Sequence, residues 1–595
     1  MNEEQLSNIR HSLAHVLAAA VRRIYGVKNV KLGIGPVIEN GFYYDFDLGD
    51  IKISEDDLPK IEQEMQKIIT EKQEFIGEEK SLDEAARWAK ETEQPYKTEL
   101  INDLKGEGAT ITFYTNGDFT DLCRGGHAAN TSEIPADAFK LTKVAGAYWR
   151  GDEKNTMMQR IYGVAFATGV ELEKYLKQQE EAKERDHRKL GRELDLFVIS
   201  DMVGAGLPLF TPRGTVLREE LARYSNELRE HYGFKKVWTP HITKTALYEK
   251  SGHWAKFGGE LFLVESQETD DKFAMKPMNC PHHTRIYASQ ARSYRDLPIR
   301  YLETTTDYRD EKSGELGGLS RVRALTQDDS HIFCRQDQIE TEINILMNAV
   351  DQLYKTVGMK LRVRLSYRDD SDAYLGDVKL WESAQKQLKD AVVTAGLDFY
   401  EQEGEAAFYG PKIDFMATDA IGREHQLATA QLDFVQPERF ELEYSTENGN
   451  IARPVMIHCA LLGSIERFLS VYIEHTAGKF PIWCAPEQLR IITVNDNKNV
   501  VDFATKLNEA AFENGIRTTI DDSNNSIGKK IRVAETWKVP YSVVIGEKEV
   551  ESGKLPLRIR ADLVANNAAK HVYTSEEIIK SITNEARSRV SKSSL

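Results

Sequence analysis

The sequence predicts an α+β protein of several domains, and three observations carry that reading. The 595 residues are 41% hydrophobic and 29% charged, which at roughly 150 residues per domain fills about three to five ordinary globular cores. Stretches with apolar residues at helical spacing alternate with Gly-punctuated, aromatic and β-branched stretches. The last segment keeps a strand–helix–strand–helix rhythm of its own. A net charge of −16 excludes a binder that is basic all over, so any RNA site is local. The cysteines Cys123, Cys280, Cys334, Cys459 and Cys484 are odd in number and scattered, which argues for free thiols in a reducing, cytoplasmic setting. No run approaches the roughly 20 apolar residues of a membrane helix. The acidic start MNEEQ and the two histidines of HSLAHVLAAAV speak against a signal peptide.

In chain order, residues 5 to 25 read as a helix and VKLGIGPVIENGFYYDFDL as strands joined by turns. Segment 51 to 96 has helical periodicity, and ATITFYTNGDFTDLCRGGH and FKLTKVAGAYWRG return to strand and turn composition. This first α+β domain is expected to close near residue 165. Residues 170 to 196 read as one charged, solvated linker helix with Glu-to-Lys pairs near i,i+4 spacing. From 200 to 484 the strand-like segments KVWTP, LRVRLSYR, KIDFMATD and AQLDF mix with helices in one domain of catalytic size. The three-layer tail, 485 to 595, is the least acidic part of the chain.

Two sets of residues could carry chemistry. His11 and His15 share a helix face at i,i+4, and Cys123 and His127 have the same separation in a Gly-rich turn. Together they suit either a zinc site or a metal-free pocket in which imidazoles orient a water. Cys280, His331 and His458 are too far apart for a zinc finger; converged, they would make a three-ligand zinc site with one open position, and spacing alone leaves them equally readable as core residues. Arg309 and Glu311 precede the loop SGELGG, and Arg467 follows Gly463 at an expected helix start. Two permanently charged arginines suit phosphate contacts.

HSLAH, CRGGH, KPMNC, TQDDSHIF, MIHCALLGSIERF and EKEVESGKLPLRIR, with YWRGD and FYGPKIDF, together and in this order, resemble the bacterial type of the threonyl-tRNA synthetase family across nearly the whole chain. The resemblance implies an editing domain at 1–165, a linker helix at 166–199, a class II antiparallel-sheet catalytic core at 200–484 and an α/β anticodon-binding domain at 485–595. It implies activation of L-threonine with ATP and Mg2+, transfer to tRNA(Thr), and hydrolysis of mischarged seryl-tRNA in the first domain. One Zn2+ per chain, on Cys280, His331 and His458, would read the threonine hydroxyl that valine lacks, since an apolar pocket separates such isosteres by only about a hundredfold. Asp329 would accept from that hydroxyl, and Gln327 would hold the amino acid.

By the same resemblance Arg309 meets the α-phosphate, Arg467 the γ-phosphate end and Glu311 the adenine side. Arg321, Tyr409, Lys412, Gln426 and Gln431 line the adenylate pocket, His253 lies near the tRNA's terminal ribose, and Pro240 marks a homodimer interface. His11, His15, Tyr44, Lys97, Asp121, Cys123 and His127 form an editing pocket that works without a metal. Asn524, Asn525, Glu551 and Arg560 are the candidates for base contacts, because amides and arginine pair with the edges of unstacked bases. Three positions depart from the family pattern: Cys459 where arginine is common, Gly317 for a histidine, and Gly126 where CRGPH is commoner. A small ubiquitin-like N-terminal domain is expected to be absent. Cys459 should pack rather than ligate, since adjacent strand side chains point apart.

Overall fold

A capping box between Asn2 and Gln5 starts the first helix, Glu3–Tyr25, and Gly26 at φ 93° ends it. Its apolar face, including Leu13, Val16, Leu17 and Val21, is buried with Ile61, Met65 and Ile68 of the helix Leu58–Thr70 and with Phe42, Phe46 and Ile161 of a sheet. That sheet runs Lys31–Leu32, Gly41–Asp47, Met157–Ala165, Phe139–Tyr148, antiparallel throughout, with Val37–Ile38 also paired to Gly41–Asp47. The computed structural model describes residues 1–104, 111–371, 373–564 and 572–595. The first two letters of the expected strand ATITF lie outside them.

The helical reading of 51 to 96 needs a correction. Helices Leu58–Thr70 and Leu82–Glu91 form, but Phe75–Lys80 between them is a strand. Its sequence, FIGEEK, is mostly exposed and polar, so no alternation betrays it. Pairing with Ile111–Asn116, far along the chain, decides its conformation. The single linker helix is also two helices. Gly169–Arg185 stops, and Asp186 caps a second, His187–Glu193, by accepting from the Arg188 N–H. The chain forms two compact units that meet inside the first of these helices, Met1–Glu181 and Ala182–Leu595.

The second unit is built on an eight-stranded sheet in the order Lys235–Lys236, Ile299–Tyr308, Ala324–Cys334, Val455–Ser464, Glu424–Asp433, Lys412–Thr418, Lys360–Tyr367, Phe399–Glu403. It is antiparallel except at its two edges. KVWTP supplies only Lys236 to the two-residue edge strand Lys235–Lys236. Between Gln327 and Asp329 the register with Val455–Ser464 shifts, and Leu461, Leu462 and Gly463 bulge opposite Asp328. The Asp328 carboxylate, fully buried, accepts from the backbone N–H of Leu461, Leu462 and Gly463 at 3.0–3.2 Å and from the Ser225 hydroxyl at 2.5 Å. The fully buried Arg229 lies 3.8 Å from the same carboxylate and donates to the carbonyls of Asp328 and Asp329 at 2.7 and 3.0 Å.

The C-terminal part is a mixed sheet, Thr518–Asp521, Leu489–Thr493, Tyr541–Ile545, Leu555–Ile559, Val572–Tyr573, parallel over its first three strands and antiparallel beyond. It packs on the helix Pro212–His231, the helix that also carries Ser225 and Arg229. Arg517 pairs with Glu220 at 2.8 Å, Arg589 pairs with Glu227, and the Arg589 guanidinium lies 4.1 Å from the Tyr224 ring.

Asp328→Ala leaves the buried Arg229 without its counter-charge and the N–H groups of Leu461, Leu462 and Gly463 without their acceptor, so the second unit should lose about 3–5 kcal/mol of stability. Urea denaturation followed by tryptophan fluorescence measures this; an unchanged midpoint would show that the bulge holds without the carboxylate.

Candidate active sites

In the first unit the helix Glu3–Tyr25 presents His11 and His15 to the turn that follows the strand Phe119–Leu122. Cys123 Sγ lies 3.2 Å from His11 Nε2 and 3.3 Å from His127 Nε2. The His11 and His127 rings stack at 4.2 Å, and the Ser12 hydroxyl, 3.5 Å from His127 Nδ1, accepts from the Ala128 N–H. Gly126 makes the turn possible at φ 84°. Proline, fixed near φ −65°, could not adopt this path, so the CRGGH variant has its own local loop geometry. Beside the imidazoles, Lys97 Nζ pairs with Asp121 at 2.6 Å and reaches the Tyr44 hydroxyl at 3.3 Å, while Tyr44 donates to Asp121. His11, His15, Tyr44, Lys97, Asp121 and Cys123 line a cavity of about 890 Å³.

Electrostatics set what this pocket can do. Burial lowers the pKa of His11, depresses that of His15 far below the ordinary histidine value and brings that of His127 down to about 2. Burial also pushes the Cys123 thiol up to about 11. At neutral pH the cluster is therefore three uncharged imidazoles and an un-ionised thiol beside an ion pair. It can orient a water through neutral ring nitrogens, but imidazoles held this far below neutrality are weak bases and the un-ionised thiol is a poor nucleophile.

In the second unit, the donor atoms of Cys280, His331 and His458 lie within 4.8 Å of one another, all buried. Cys280 opens the helix Cys280–Tyr287, and His331 and His458 are register partners on adjacent strands. The facing nitrogens His331 Nε2 and His458 Nδ1 are 3.0 Å apart, and the other nitrogen of His458 meets Asp433 at 2.8 Å. Burial, with Asp329 and Asp433 nearby, pushes the Cys280 thiol far up. A thiol and two imidazoles ringed by carboxylates are a donor set that a divalent zinc would satisfy, with Asp433 orienting His458 from behind.

The same small cavity is lined by Gln327, Asp329, Tyr409 and Gln431. Tyr409 stacks on the His458 ring at 4.8 Å and donates to Gln431 at 2.5 Å. His253, buried, lies 3.8 Å from Cys280 Sγ and 2.7 Å from the Ser251 hydroxyl. Cys459 is not part of the donor set; it belongs to the hydrophobic core.

Around this pocket, Arg309 donates to the Pro277 carbonyl at 3.3 Å and lies 2.9 Å from Met278 Sδ. Glu311 holds Arg321 at 2.7 Å. Lys412 and Gln426 both reach Asp414, at 3.3 and 2.7 Å. Arg467, at the start of the helix Ile465–Thr476, has its pKa lowered by desolvation and by the charge of Arg321. His283 is a partner that spacing did not single out: its Nδ1 lies 2.8 Å from His331 Nδ1 and its Nε2 3.3 Å from Glu303. The doublet CPHH was its only trace in the sequence.

Three regions of the chain match family descriptions. Residues 111–162 match the second additional domain of threonyl and alanyl tRNA synthetases, 262–476 the class II synthetase core for G, H, P, S and T, and 488–585 the anticodon-binding domain. A threonine–tRNA ligase of Thermotoga petrophila is 47% identical over 98% of this chain and 88% of its own length. The chain belongs to the threonine–tRNA ligase family. The threonine–tRNA ligase of Deinococcus radiodurans is 49% identical over 93% of this chain and 85% of its own. Among solved structures, the RNA binding domain of threonyl-tRNA synthetase from Cryptosporidium parvum superposes with TM-score 0.62 at 35% identity, covering 67% of this chain and 98% of that one. As a member of the threonine–tRNA ligase family the chain is a ligase with an aminoacylation core and an editing domain.

The base-contact candidates of this family member separate in the structure. Arg560 pairs with Asp562 at 2.7 Å and donates to the carbonyls of Lys538 and Phe480. Asn524 and Asn525 are exposed, with Asn525 held by Ser523 and Lys529. Glu551 lines a cavity of about 420 Å³ with Asn497, Lys498 and Asn499, which were not selected from the sequence.

Because His11, His15 and His127 have lowered pKa values when folded, the unfolded chain binds protons that the folded chain refuses below about pH 6.5. Their contribution to stability is complete above that pH and is lost as pH falls. Calorimetry should show the unfolding temperature of the first unit dropping between about pH 7 and pH 5, less so in His11→Ala/His15→Ala; a flat profile would mean these imidazoles charge freely.

Proposed function

We propose that the two clusters divide the work of a threonine–tRNA ligase: the second unit makes threonyl-adenylate and charges tRNA(Thr), and the first hydrolyses seryl-tRNA(Thr). The working parts are an editing domain at 1–165, a linker at 166–199, a catalytic domain at 200–484 and an anticodon-binding domain at 485–595. The observation that carries the reading is the convergence of Cys280, His331 and His458 with Gln327, Asp329, Tyr409 and Gln431 around one small cavity.

Cys280, His331 and His458 would hold zinc, which supplies a Lewis acid toward the amino and hydroxyl groups of L-threonine. Asp329 accepts from the substrate hydroxyl, and Gln327 and Gln431 hold the amino acid. Arg309 and Arg467 bind the phosphates of ATP, which arrives with Mg2+, and their fixed charge opposes the charge that develops at phosphorus. Glu311 and Arg321 flank the adenine, Lys412 and Gln426 line the adenylate pocket, and His253 serves the terminal ribose. Serine keeps the hydroxyl and escapes this selection, since one methyl is worth only about 1–3 kcal/mol. In the editing pocket Lys97, Asp121 and Tyr44 hold the seryl ester, and the neutral imidazoles of His11, His15 and His127, beside Cys123, orient the attacking water.

Glu551, with Asn497, Lys498 and Asn499, faces the anticodon, and Asn524 and Asn525 extend that surface. The protein works as a cytoplasmic homodimer. Trp238, 75% exposed beside Pro240, and the exposed Ile199, Met202 and Val203 supply apolar surface suited to a second copy.

The protein should contain about one zinc per chain, and Cys280→Ala should lose the metal and at least about a hundredfold in threonine-dependent pyrophosphate exchange. Exchange at full rate by metal-free protein overturns the zinc reading. In His11→Ala/His15→Ala, threonine activation should persist while hydrolysis of pre-formed seryl-tRNA slows by about 10²–10⁴. Equal deacylation by mutant and wild type would remove the editing assignment.

A further inference from the structure

The linker helix His187–Glu193 begins with a buried histidine that the reading above does not use. We infer that His187 is a positioning residue for ATP: it latches the loop between the strands Ile299–Tyr308 and Ala324–Cys334, which carries Glu311 and Arg321. The inference rests on the proposed function, because it concerns the nucleotide side of the same site.

The latch is two-sided. The backbone N–H of Leu319 donates to His187 Nε2 at 3.1 Å, so that nitrogen carries no proton and the ring proton sits on Nδ1. Nδ1 faces Glu474 Oε1 at 2.7 Å, and the His187 backbone N–H donates to the same oxygen at 3.1 Å. Burial alone would raise the Glu474 carboxyl, but hydrogen bonds from His187 and Arg423 hold it lowered. The Glu474 carboxylate therefore fixes the tautomer, and the tautomer presents an acceptor to the loop.

On the loop side, Leu319 is fully buried, so its N–H has no water to fall back on. The turn around it is closed by Ser320 N–H to the Gly317 carbonyl at 2.9 Å and Gly317 N–H to the Arg321 carbonyl at 3.2 Å. Arg321 in turn pairs with Glu311 and Glu315 at 2.7 and 2.6 Å. Gly318 sits at φ 59°, and a Cβ there would come within 2.4 Å of His187 Nε2. Both the glycine and the histidine are thus fitted to one close approach of loop and ring. The contact chain runs Glu474, His187, Leu319, Arg321, Glu311, from the helix that carries Arg467 to the residues assigned to adenine. Asp186, His187 and Glu474 have ligand atoms close enough for a metal, but Leu319, Glu474, Arg188 and Arg423 already use them.

The test is threonine-dependent pyrophosphate exchange with ATP and threonine varied separately. His187→Asn keeps a donor for Glu474 but cannot reach Leu319, and should raise the KM for ATP about tenfold, the effect of one buried N–H left unpaired, with the KM for threonine unchanged. His187→Gln places an acceptor near Leu319 and should restore most of the ATP affinity. Gly318→Ala should also raise the ATP KM, and combining it with His187→Ala should be no worse than either alone, because both break one contact. If His187→Asn fails to fold, Gly318→Ala and the double variant decide. An unchanged ATP KM, equal rises for both substrates, glutamine no better than asparagine, or full additivity in the double variant overturns the latch. A wild type that exchanges no pyrophosphate with threonine would instead overturn the proposed function.

Discussion

The pocket of the second unit depends on one buried carboxylate. Asp328 gathers three consecutive backbone N–H groups of the strand Val455–Ser464, the Ser225 hydroxyl and the charge of Arg229. A lone buried charge is too unfavourable to keep, but one satisfied on every side is held rigidly. The bulge it faces, at residues 461–463, sets the register of two strands. Gln327, Asp329 and His331 lie on one of them and His458 on the other. Donor atoms that could share one ion must agree to a few tenths of an ångström, and the carboxylate steadies the two strands that carry His331 and His458.

The two sites show opposite electrostatic designs. In the first unit, burial strips charge from imidazoles and thiol, leaving a neutral cluster suited to an ester that is already activated. In the second, the guanidinium groups of Arg309, Arg321 and Arg467 stand near a buried set of donors, Cys280, His331 and His458, that could hold a metal ion. The first design suits hydrolysis at modest driving force; the second suits stabilisation of a highly charged phosphorus.

The local pattern was legible in the sequence wherever chemistry follows chain spacing. His11 and His15 at i,i+4 share a face, LLGSIERF begins a helix, and TDYRDE with its loop joins two paired strands. Partners set by long-range pairing were not legible from spacing. Cys280, His331 and His458 are distant in sequence, and only family resemblance joined them. FIGEEK gave no sign of being a strand, because its partner strand decides it. That three acceptors surround Arg560 was likewise not legible, because they come from distant parts of the chain and from a turn. His187 looked like one more solvated residue of a charged linker, since its two partners lie more than a hundred residues away.

The helix Pro212–His231 has one further consequence. Ser225 and Arg229 brace the strand that carries Gln327 and Asp329, while Glu220 and Glu227 grip Arg517 and Arg589 of the C-terminal part. One helix thus braces the strand of Gln327 and Asp329 on one flank and anchors the anticodon-binding domain on the other. The C-terminal part is therefore a wall of the catalytic body and not a tethered attachment. Any strain that a bound nucleic acid places on that wall is borne by the same helix that braces the cavity of Gln327, Asp329 and His331.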